Sequence, residues 1–479
     1  MLRSGREYLN GLADGRRVYY RGASVPDVTH HPLLGVAARH TAELFDLHQD
    51  SAFRPSLMAE DPETREPISA LYRRPADENE LGERSEMIQA TTRHSRAVFN
   101  IMKVIGSDAL FGLATAAAET DRQHGTHYSE TVRQYHGWVA REDRGTVVAQ
   151  TDVKGDRSLR PSQQKDPDLY VRIKERRPDG IVVRGAKVHI TQPPVADEII
   201  VIPSRAMTEA DAGYAVAFAV PANVKGLTMI CRPLIELEGA KHPLEGPRVR
   251  HNALVEALMV FEEVFVPWDR VFLAGESAFA GRVAHMFALW HRFSAVSYRA
   301  AQADLIAALA LELAEANGIA DKSHIRRNIV ELVQFAEIQR MSAQLAALKP
   351  ARDPLTGGLY PNPLYVNVGK LYSNAHYLSA VQALIDCAGG LAITAPSGDD
   401  YANPELRPVI EKYLAGNTQG GGDRRFKLFL AARELVALLG GLESVTMVHA
   451  EGSIEASVIE LLRTYDFTKA RALLDKILS

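Results

Sequence analysis

Few residues of this chain have a type and spacing that could do chemistry by themselves. Its 479 residues include two cysteines, Cys231 and Cys387, which lie far apart and have no Cys-x-x-Cys neighbour. Two thiols cannot build a disulfide framework or a four-thiolate cluster, so we interpret both as buried apolar side chains. Proton transfer by histidine and carboxylate side chains is the chemistry that remains, because imidazole titrates near neutral pH.

The sequence also lacks the usual motifs for binding phosphates. It contains no phosphate loop, nucleophile elbow or metal-ligand motif. Gly420-Gly421-Gly422 lacks the strand, turn and helix of a dinucleotide-binding fingerprint, and we interpret it as a flexible loop. A dinucleotide bound to this chain must therefore bind in another way.

Composition and charge exclude several classes of partner. With 46% hydrophobic and 24% charged residues the chain is globular, and its net charge of −4 without a long basic run argues against nucleic acid. The longest apolar run, residues 305–316, contains Glu312 and Glu315 and is shorter than the ~20 residues of a membrane span. The charged N-terminal residues lack the apolar core of a signal peptide, so we expect a cytoplasmic protein with no membrane partner.

Patterning divides the chain into three segments. Residues 1–144 are mostly helical, and Ser107 and Asp108 are both candidates for a helix N-cap. Residues 145–275 hold short β-rich runs and the hairpin turn Pro178-Asp179-Gly180, which predicts a compact β-domain. Residues 276–479 return to long helical patterns, one of which stops at Gly318, and predict a helix bundle.

Several long segments resemble a known family. Residues 149–207, AQTDVKGDRSL through IPSRAM, closely resemble the middle domain of 4-hydroxybutyryl-CoA dehydratase, and the similarity continues in later segments. Those segments are residues 260–276, 280–292, 388–394 and 403–414. The opening residues 4–32 look like the start of the wider 4-hydroxyphenylacetate 3-hydroxylase family.

The resemblance covers nearly the whole chain and implies an α+β fold of the acyl-CoA-dehydrogenase type. The expected units are an N-terminal helical domain (1–144), a central β-barrel domain (145–275) and a C-terminal four-helix bundle (276–479). Members of the family are usually homotetramers. The order of units agrees with the pattern of helices and strands found above.

The resemblance also implies FAD, which in this family lies between the β-domain and the bundle and reaches a neighbouring subunit. Five residues are expected near the isoalloxazine: Gln150, Thr151, Lys187, His189 and Thr191. Gly389 and Gly390 are expected near the phosphates of a partner subunit's FAD. Paired glycines admit a pyrophosphate to backbone N–H groups, and amides and hydroxyls on strands can hydrogen-bond a flavin ring.

Four acid–base candidates follow from the same resemblance: His291, Glu256, His449 and Glu451. His291 lies on a bundle helix, and Glu256 matches an acid of the dehydratase that faces its active site. His449 and Glu451 fall in a C-terminal segment that borders the pocket in relatives. A histidine with carboxylates nearby can take and return a proton.

The chain departs from both groups of relatives. The dehydratase holds a [4Fe–4S] cluster through three cysteines and a histidine, but the matching segments 94–105 and 291–299 contain no cysteine, and His291 alone remains. Because these clusters need thiolates, we predict no metal. Val148 and Asn100 replace the histidine and tyrosine with which the hydroxylases bind a phenol, so a simple 4-hydroxyphenol is not the expected substrate.

Three functions remain open. The first is a reduced-FAD-dependent monooxygenase that acts on a small organic substrate with a separate flavin reductase. The second is a redox-neutral lyase or isomerase of the dehydratase type, acting on an acyl thioester without an iron–sulfur cluster. The third is a non-catalytic flavin-binding or assembly protein. We favour the first, because the cluster ligands determine the chemistry of the dehydratase, and this chain lacks the cysteines among them although its scaffold is similar.

Overall fold

Helices dominate the first part of the computed structural model, which describes residues 2–417, 421–438 and 440–479. The helices are α1 (Gly5–Gly11), α2 (Leu34–Asp46), α3 (Arg54–Leu57), α4 (Glu78–His94), α5 (Val104–His124) and α6 (Tyr128–Arg141). The strands between them are β1 (Val18–Tyr20), β2 (Ala23–Val25), β3 (Met58–Glu60) and β4 (Pro67–Ser69). The largely buried α5 packs against α6.

The middle of the chain forms two sheets with a short helix, α7 (Ile235–Gly239). Its strands are β5 (Thr146–Ala149), β6 (Arg172–Arg177), β7 (Gly180–Thr191), β8 (Glu198–Val201), β9 (Val216–Pro221), β10 (Leu227–Cys231), β11 (Glu256–Pro267) and β12 (Val271–Ala274). The six-stranded sheet has the order β2-β1-β10-β11-β7-β6, and the four-stranded sheet has the order β12-β9-β8-β5. Apolar residues from both sheets form one buried core.

The strands β1 and β2 come from the predicted N-terminal segment but complete one edge of the six-stranded sheet. The boundaries at residues 144 and 275 stay predictions. The long antiparallel pair β7 and β11, 12 residues each, places Thr191 opposite Glu256. This end of the pair carries several of the predicted flavin-side residues.

Helices return after β12. They are α8 (Ser277–Ala316), α9 (Ser323–Leu348), α10 (Pro363–Ala388), α11 (Leu391–Thr394), α12 (Gly398–Ala402), α13 (Arg407–Tyr413), α14 (Gly421–Arg433), α15 (Gly440–His449), α16 (Ile454–Thr464) and α17 (Thr468–Leu478). A two-stranded hairpin, β13 (Ala351–Arg352) and β14 (Leu359–Tyr360), joins α9 to α10. The 40-residue α8 packs against α4, α5, α9 and α10, so it connects the N-terminal helices to the bundle.

Local sequence signals were partly right. Pro178 and Asp179 form the turn between β6 and β7, and α8 ends just before Gly318, which has a φ of +67°, so both predictions are confirmed. Both cysteines are buried, as predicted. None of the helices in the described residues has the length and apolarity needed to cross a bilayer.

Two local predictions were wrong. Helix α5 begins at Val104, so Ser107 and Asp108 lie inside it, because Asp108 is ion-paired with the buried Arg84 instead of capping the backbone. Of the three glycines predicted to form a loop, Gly420 lies outside the described residues, whereas Gly421 and Gly422 begin α14.

Candidate active site

The buried Lys187 connects β7 to the end of β5. Its ammonium group donates to the backbone oxygens of Gln150 (2.8 Å) and Ile202 (2.9 Å) and to Oδ1 of Asp152 (2.6 Å). The three donors of a lysine are thereby used. Lys187 therefore fixes the backbone at Gln150 and Thr151 and has no hydrogen left for a ligand.

Gln150, Thr151 and Thr191 lie half-buried at the surface of the β-domain. The backbone oxygen of Thr151 accepts a hydrogen bond from the amide of Val188 at 2.9 Å, which fixes these two backbone segments side by side. Within the part of the chain that the structure describes, the side chains of these three residues make no hydrogen bond. Free amide and hydroxyl groups of this kind suit the nitrogens and carbonyls of a flavin ring.

His189 lies between these residues and has a φ of +59°, which is uncommon for a side chain other than glycine. The pKa of its imidazole is lowered by partial desolvation and by the charges of Lys154 and His449, while Glu256 opposes the shift. The predicted residues His189, His449 and Glu256 therefore share one neighbourhood. Glu256 itself is ion-paired with Arg232, which also binds Glu236 at 2.7 Å.

Glu451 is a buried carboxylate that accepts hydrogen bonds from Tyr298 (2.8 Å) and Arg299 (2.6 Å). Burial raises its pKa, but Arg299, His291 and Lys370 outweigh that effect and hold the pKa below the ordinary value. Both oxygens have donors, so Glu451 acts as a fixed negative charge in the helix bundle.

The backbone around Glu451 is held in place as well, and we call residues 446–452 the C-terminal strap. Four side chains of α8 and α10 donate to its carbonyl oxygens: Arg299 to Thr446 (3.1 Å), Asn374 to Met447 (2.5 Å), Arg292 to Glu451 (3.0 Å) and Lys370 to Gly452 (2.9 Å). Burial lowers the pKa of Lys370 to about 7. His449 lies exposed within the strap. The bundle thus fixes the main chain that presents this imidazole.

His291 lies on α8 with 15% of its side chain exposed and stacks on Phe287, with ring centroids 5.2 Å apart. Its Nδ1 is 3.7 Å from Oδ2 of Asp108, and both atoms are buried without a hydrogen-bond partner among the described residues. Oδ1 of Asp108 accepts from Arg84 at 2.7 Å. His291 is therefore a half-enclosed imidazole beside a buried carboxylate.

The two segments that carry cysteines in the dehydratase meet here through aromatic rings. Phe99 and Tyr298 stack with centroids 4.3 Å apart and an interplanar angle of 11°. Burial raises the pKa of Cys231 to about 12 and that of Cys387 to about 11, so both stay protonated thiols. Across the described ranges, no group of three His, Cys, Asp or Glu side chains is placed to share a metal ion. These residues do not fit an iron–sulfur cluster.

Gly389 and Gly390 are exposed at the end of α10. Gly389 has φ +70° and ψ −171°, a conformation nearly confined to glycine. A Cβ built on either glycine would meet no atom within 4 Å. The open space and exposed backbone fit the approach of a phosphate from a neighbouring subunit.

Sequence reasoning missed Arg84 and Asp108 as parts of the site. Asp108 stood in the segment Gly106-Ser107-Asp108-Ala109, where it served only as a candidate for a helix cap. Little in the sequence could have revealed this role, because Arg84 stands between the exposed Glu83 and Glu86, and only the structure shows that its charge is buried and needs a partner.

Comparison with known proteins agrees with the fold. Family models described as 4-hydroxyphenylacetate 3-hydroxylase N terminal and C terminal match residues 4–273 and 280–479. The 4-hydroxybutyryl-CoA dehydratase/vinylacetyl-CoA-Delta-isomerase of Clostridium aminobutyricum is 30% identical over 97% of this chain and 96% of its own. The 4-hydroxyphenylacetate 3-monooxygenase oxygenase component of Thermus thermophilus is 28% identical over 87% and 85%.

Solved structures give the same result. An oxygen-tolerant archaeal 4-hydroxybutyryl-CoA dehydratase from N. maritimus superposes with a TM-score of 0.92 at 26% identity, covering 100% of this chain and 95% of the other. An oxygenase component of 4-hydroxyphenylacetate 3-monooxygenase, complexed with FAD and 4-hydroxyphenylacetate, gives 0.90 at 25% identity and 99% of both chains. The predicted fold is confirmed, and the chain belongs to the 4-hydroxyphenylacetate 3-hydroxylase family.

Proposed function

We propose that this chain is the oxygenase component of a two-component, FAD-dependent monooxygenase that acts on a small organic substrate. The observation that carries this proposal is the Phe99–Tyr298 stack, which joins the two segments where the dehydratase has its cysteines. Without thiolates this donor set cannot hold the cluster on which dehydratase chemistry depends. The oxygenase component solved with FAD and 4-hydroxyphenylacetate supports a flavin as the redox group.

Bound reduced FAD would supply the electrons that activate O₂. The side chains of Gln150, Thr151 and Thr191 would hold its ring, since their amide and hydroxyl groups make no hydrogen bond to any of the described residues. Lys187 keeps this stretch of backbone in place through its bond to the Gln150 oxygen. His189 borders the same face.

His291 takes and returns the substrate proton, because it is a partly exposed imidazole of the helix bundle whose Nδ1 faces the buried carboxylate of Asp108. Phe287 packs against its ring and limits the access of water. His449, presented by the C-terminal strap, is the second titratable group at the site, and Glu451 positions the strap through Tyr298. The charge of Glu256 is held by Arg232 at the strand end.

The proposal includes two kinds of protein partner. Reduced FAD would be delivered by a separate flavin reductase, since the sequence contains no dinucleotide-binding fingerprint for a nicotinamide reductant. A homotetramer is the expected assembly, because the exposed Gly389 and Gly390 would contact a partner subunit's FAD. A cytoplasmic location stays a prediction.

A second candidate is a redox-neutral lyase or isomerase acting on an acyl thioester. It is favoured by the 30% identity with the Clostridium dehydratase over almost the whole chain. Anaerobic incubation of the oxidised holoprotein with 4-hydroxybutyryl-CoA separates the two candidates. The lyase would consume the thioester without O₂, and the monooxygenase would leave it unchanged.

The test of the proposed function is rapid mixing of anaerobically reduced holoprotein with oxygenated buffer. A monooxygenase should reoxidise in two resolved absorbance phases and release hydrogen peroxide only in the second. We also expect FAD and no stoichiometric iron or acid-labile sulfide in the purified protein. Reoxidation in one phase at the rate of free reduced FAD, or stoichiometric iron, would overturn the proposal.

Gly390→Leu should weaken FAD binding without unfolding the protein. The backbone at Gly390 has ordinary helical angles, φ −59° and ψ −23°, and the space around its Cβ is open, so the new side chain costs the free chain little. In the assembly the leucine would occupy the space that the phosphates of the partner's FAD require. FAD affinity, measured by fluorescence titration, should fall at least tenfold, which corresponds to about 1.4 kcal/mol.

Gly213→Leu is the matched control. Gly213 is also exposed with nothing within 4 Å of its Cβ, but it lies beside the β-domain, away from α10. Its variant should bind FAD normally. Gly389→Leu is a less clean test, because the positive φ at Gly389 would strain any side chain there. Unchanged FAD affinity in Gly390→Leu would remove Gly389 and Gly390 from the cofactor site.

A further inference from the structure

Two buried polar atoms without partners face each other between α5 and α8. Oδ2 of Asp108 and Nδ1 of His291 are 3.7 Å apart, and neither has a hydrogen-bond partner in the described parts of the chain. A buried carboxylate oxygen without a donor is unfavourable, so the nearest available donor is expected to serve it. The Nδ1 group of His291 can serve as such a donor, and at 3.7 Å it lies just beyond hydrogen-bond distance.

The carboxylate is fixed from its other side. Arg84 is 1% exposed and donates to Oδ1 of Asp108 (2.7 Å), to Oγ of Ser107 (2.9 Å) and to the backbone oxygens of Leu71 (2.9 Å) and Val104 (3.2 Å). Its guanidinium also lies over the ring of Phe111, 5.1 Å from the centroid. Asp108 is thus held with Oδ1 toward Arg84 and Oδ2 toward His291.

We propose that Asp108 is a positioning residue that keeps the proton of neutral His291 on Nδ1 and leaves Nε2 as the proton acceptor of the site. Nδ1 is buried although 15% of the side chain is exposed, so the exposed part of the ring lies away from Asp108. Stacking on Phe287 restricts the plane of the ring. In this respect Asp108 and His291 work like the carboxylate and imidazole of a hydrolase triad, where the carboxylate selects the tautomer.

The inference rests on the proposed function only in giving His291 an acid–base role. Glu451 in the strap also interacts electrostatically with the imidazole, and Lys370 on α10 interacts with Glu451. Glu451 already accepts from Tyr298 and Arg299, and Lys370 donates to Asn374 and Gly452. Neither of these groups competes with Asp108 for Nδ1.

The experiment reads the tautomer directly by ¹⁵N solid-state NMR of the holoprotein labelled in histidine. The variant His291→Gln identifies the signals of His291. In the wild-type protein, at a pH where the ring is neutral, Nδ1 should carry the proton, whereas most free histidines carry it on Nε2. A proton on Nε2 of neutral His291 would overturn the inference, even if the protein is a monooxygenase.

Asp108→Asn provides the second arm. Arg84 would bind the amide oxygen, so the NH₂ group would face His291 and force Nδ1 to become an acceptor. The neutral ring should then carry its proton on Nε2, and turnover should fall on the order of 10²–10⁴-fold. Ser107→Ala, which removes another Arg84 contact on the same helix, should leave the tautomer unchanged.

The outcomes separate the two claims. An unchanged Nδ1–H tautomer in Asp108→Asn would overturn the positioning role. An inverted tautomer with unchanged turnover would support the hydrogen bond and contradict the acid–base role of His291 in the proposed function. If Asp108→Asn does not fold, because Arg84 is left with a buried unpaired charge, the wild-type tautomer decides alone.

Discussion

His291→Ala should leave FAD bound and lower turnover on the order of 10²–10⁴-fold, the usual effect of losing a positioned acid–base group. The imidazole is partly exposed on α8, while the charges that surround it, Asp108 and Glu451, are already held by Arg84 and Arg299. Removing the ring therefore deletes a proton acceptor without unpairing a buried charge. The residues that would hold the flavin ring lie on β7 and in the segment directly after β5, so cofactor affinity should stay unchanged.

The matched control for this prediction is His285→Ala on the same helix. The ring of His285 contacts Glu460 (3.2 Å) and Arg463 (2.7 Å) on α16 rather than Asp108, so its loss should not affect turnover. Both variants are compared at saturating substrate with equal FAD content. Wild-type turnover in His291→Ala would show that the ring only packs between helices and would move the acid–base role to Glu256 or His449.

The second large effect is a loss of stability in mild acid. Three histidines, the buried His40 and His48 and the half-buried His136, each have a pKa lowered to about 4 by desolvation. In the unfolded chain the same groups titrate near 6.5, so between pH 6.5 and 4 the unfolded state binds more protons than the folded state. The free energy of unfolding therefore falls as the pH decreases through this window, by roughly 3 kcal/mol for each histidine at most.

Denaturant unfolding at pH 7.5, 6.0 and 5.0 measures this slope. His136→Gln should make the slope shallower, because its ring, bonded to the Tyr72 oxygen at 2.7 Å, no longer titrates. The exposed His324→Gln should leave the slope unchanged. Glu460, with a pKa lowered to about 2, loses its stabilising effect only below its ordinary pKa of 4.5, which lies below the pH range of the measurement. An unfolding free energy that is constant from pH 7.5 to 5.0 would contradict the prediction.

Much of the fold could be predicted because its signals are local or extend over long segments. The stop at Gly318 depends on a positive φ that few residues other than glycine adopt, and the hairpin at Pro178-Asp179-Gly180 consists of residues that favour turns. The order of helices and sheets followed from patterning and from the resemblance. The start of α5 was predicted wrongly for a different reason. Asp108 could have capped the helix, but it forms an ion pair with the buried Arg84 of α4 instead.

The site was less accessible to sequence reasoning, because its contacts join residues far apart in the chain. Lys187 was predicted near the flavin, and only the structure shows that three acceptors use its ammonium group. The pairing of Asp108 with His291 depends on how α5 crosses α8. Residue types alone give no sign of which buried polar atom lacks a partner.

The hydrogen bonds that hold the C-terminal strap leave the side chain at position 449 free to vary. Its anchors from Asn374, Lys370 and Arg292 bind main-chain oxygens, which every amino acid possesses. The residue at position 449 can therefore be exchanged while the main chain of the C-terminal strap keeps its position. Variation at this position would change the group presented to the substrate without a matching change in the bundle, which makes it a natural starting point for directed evolution of specificity.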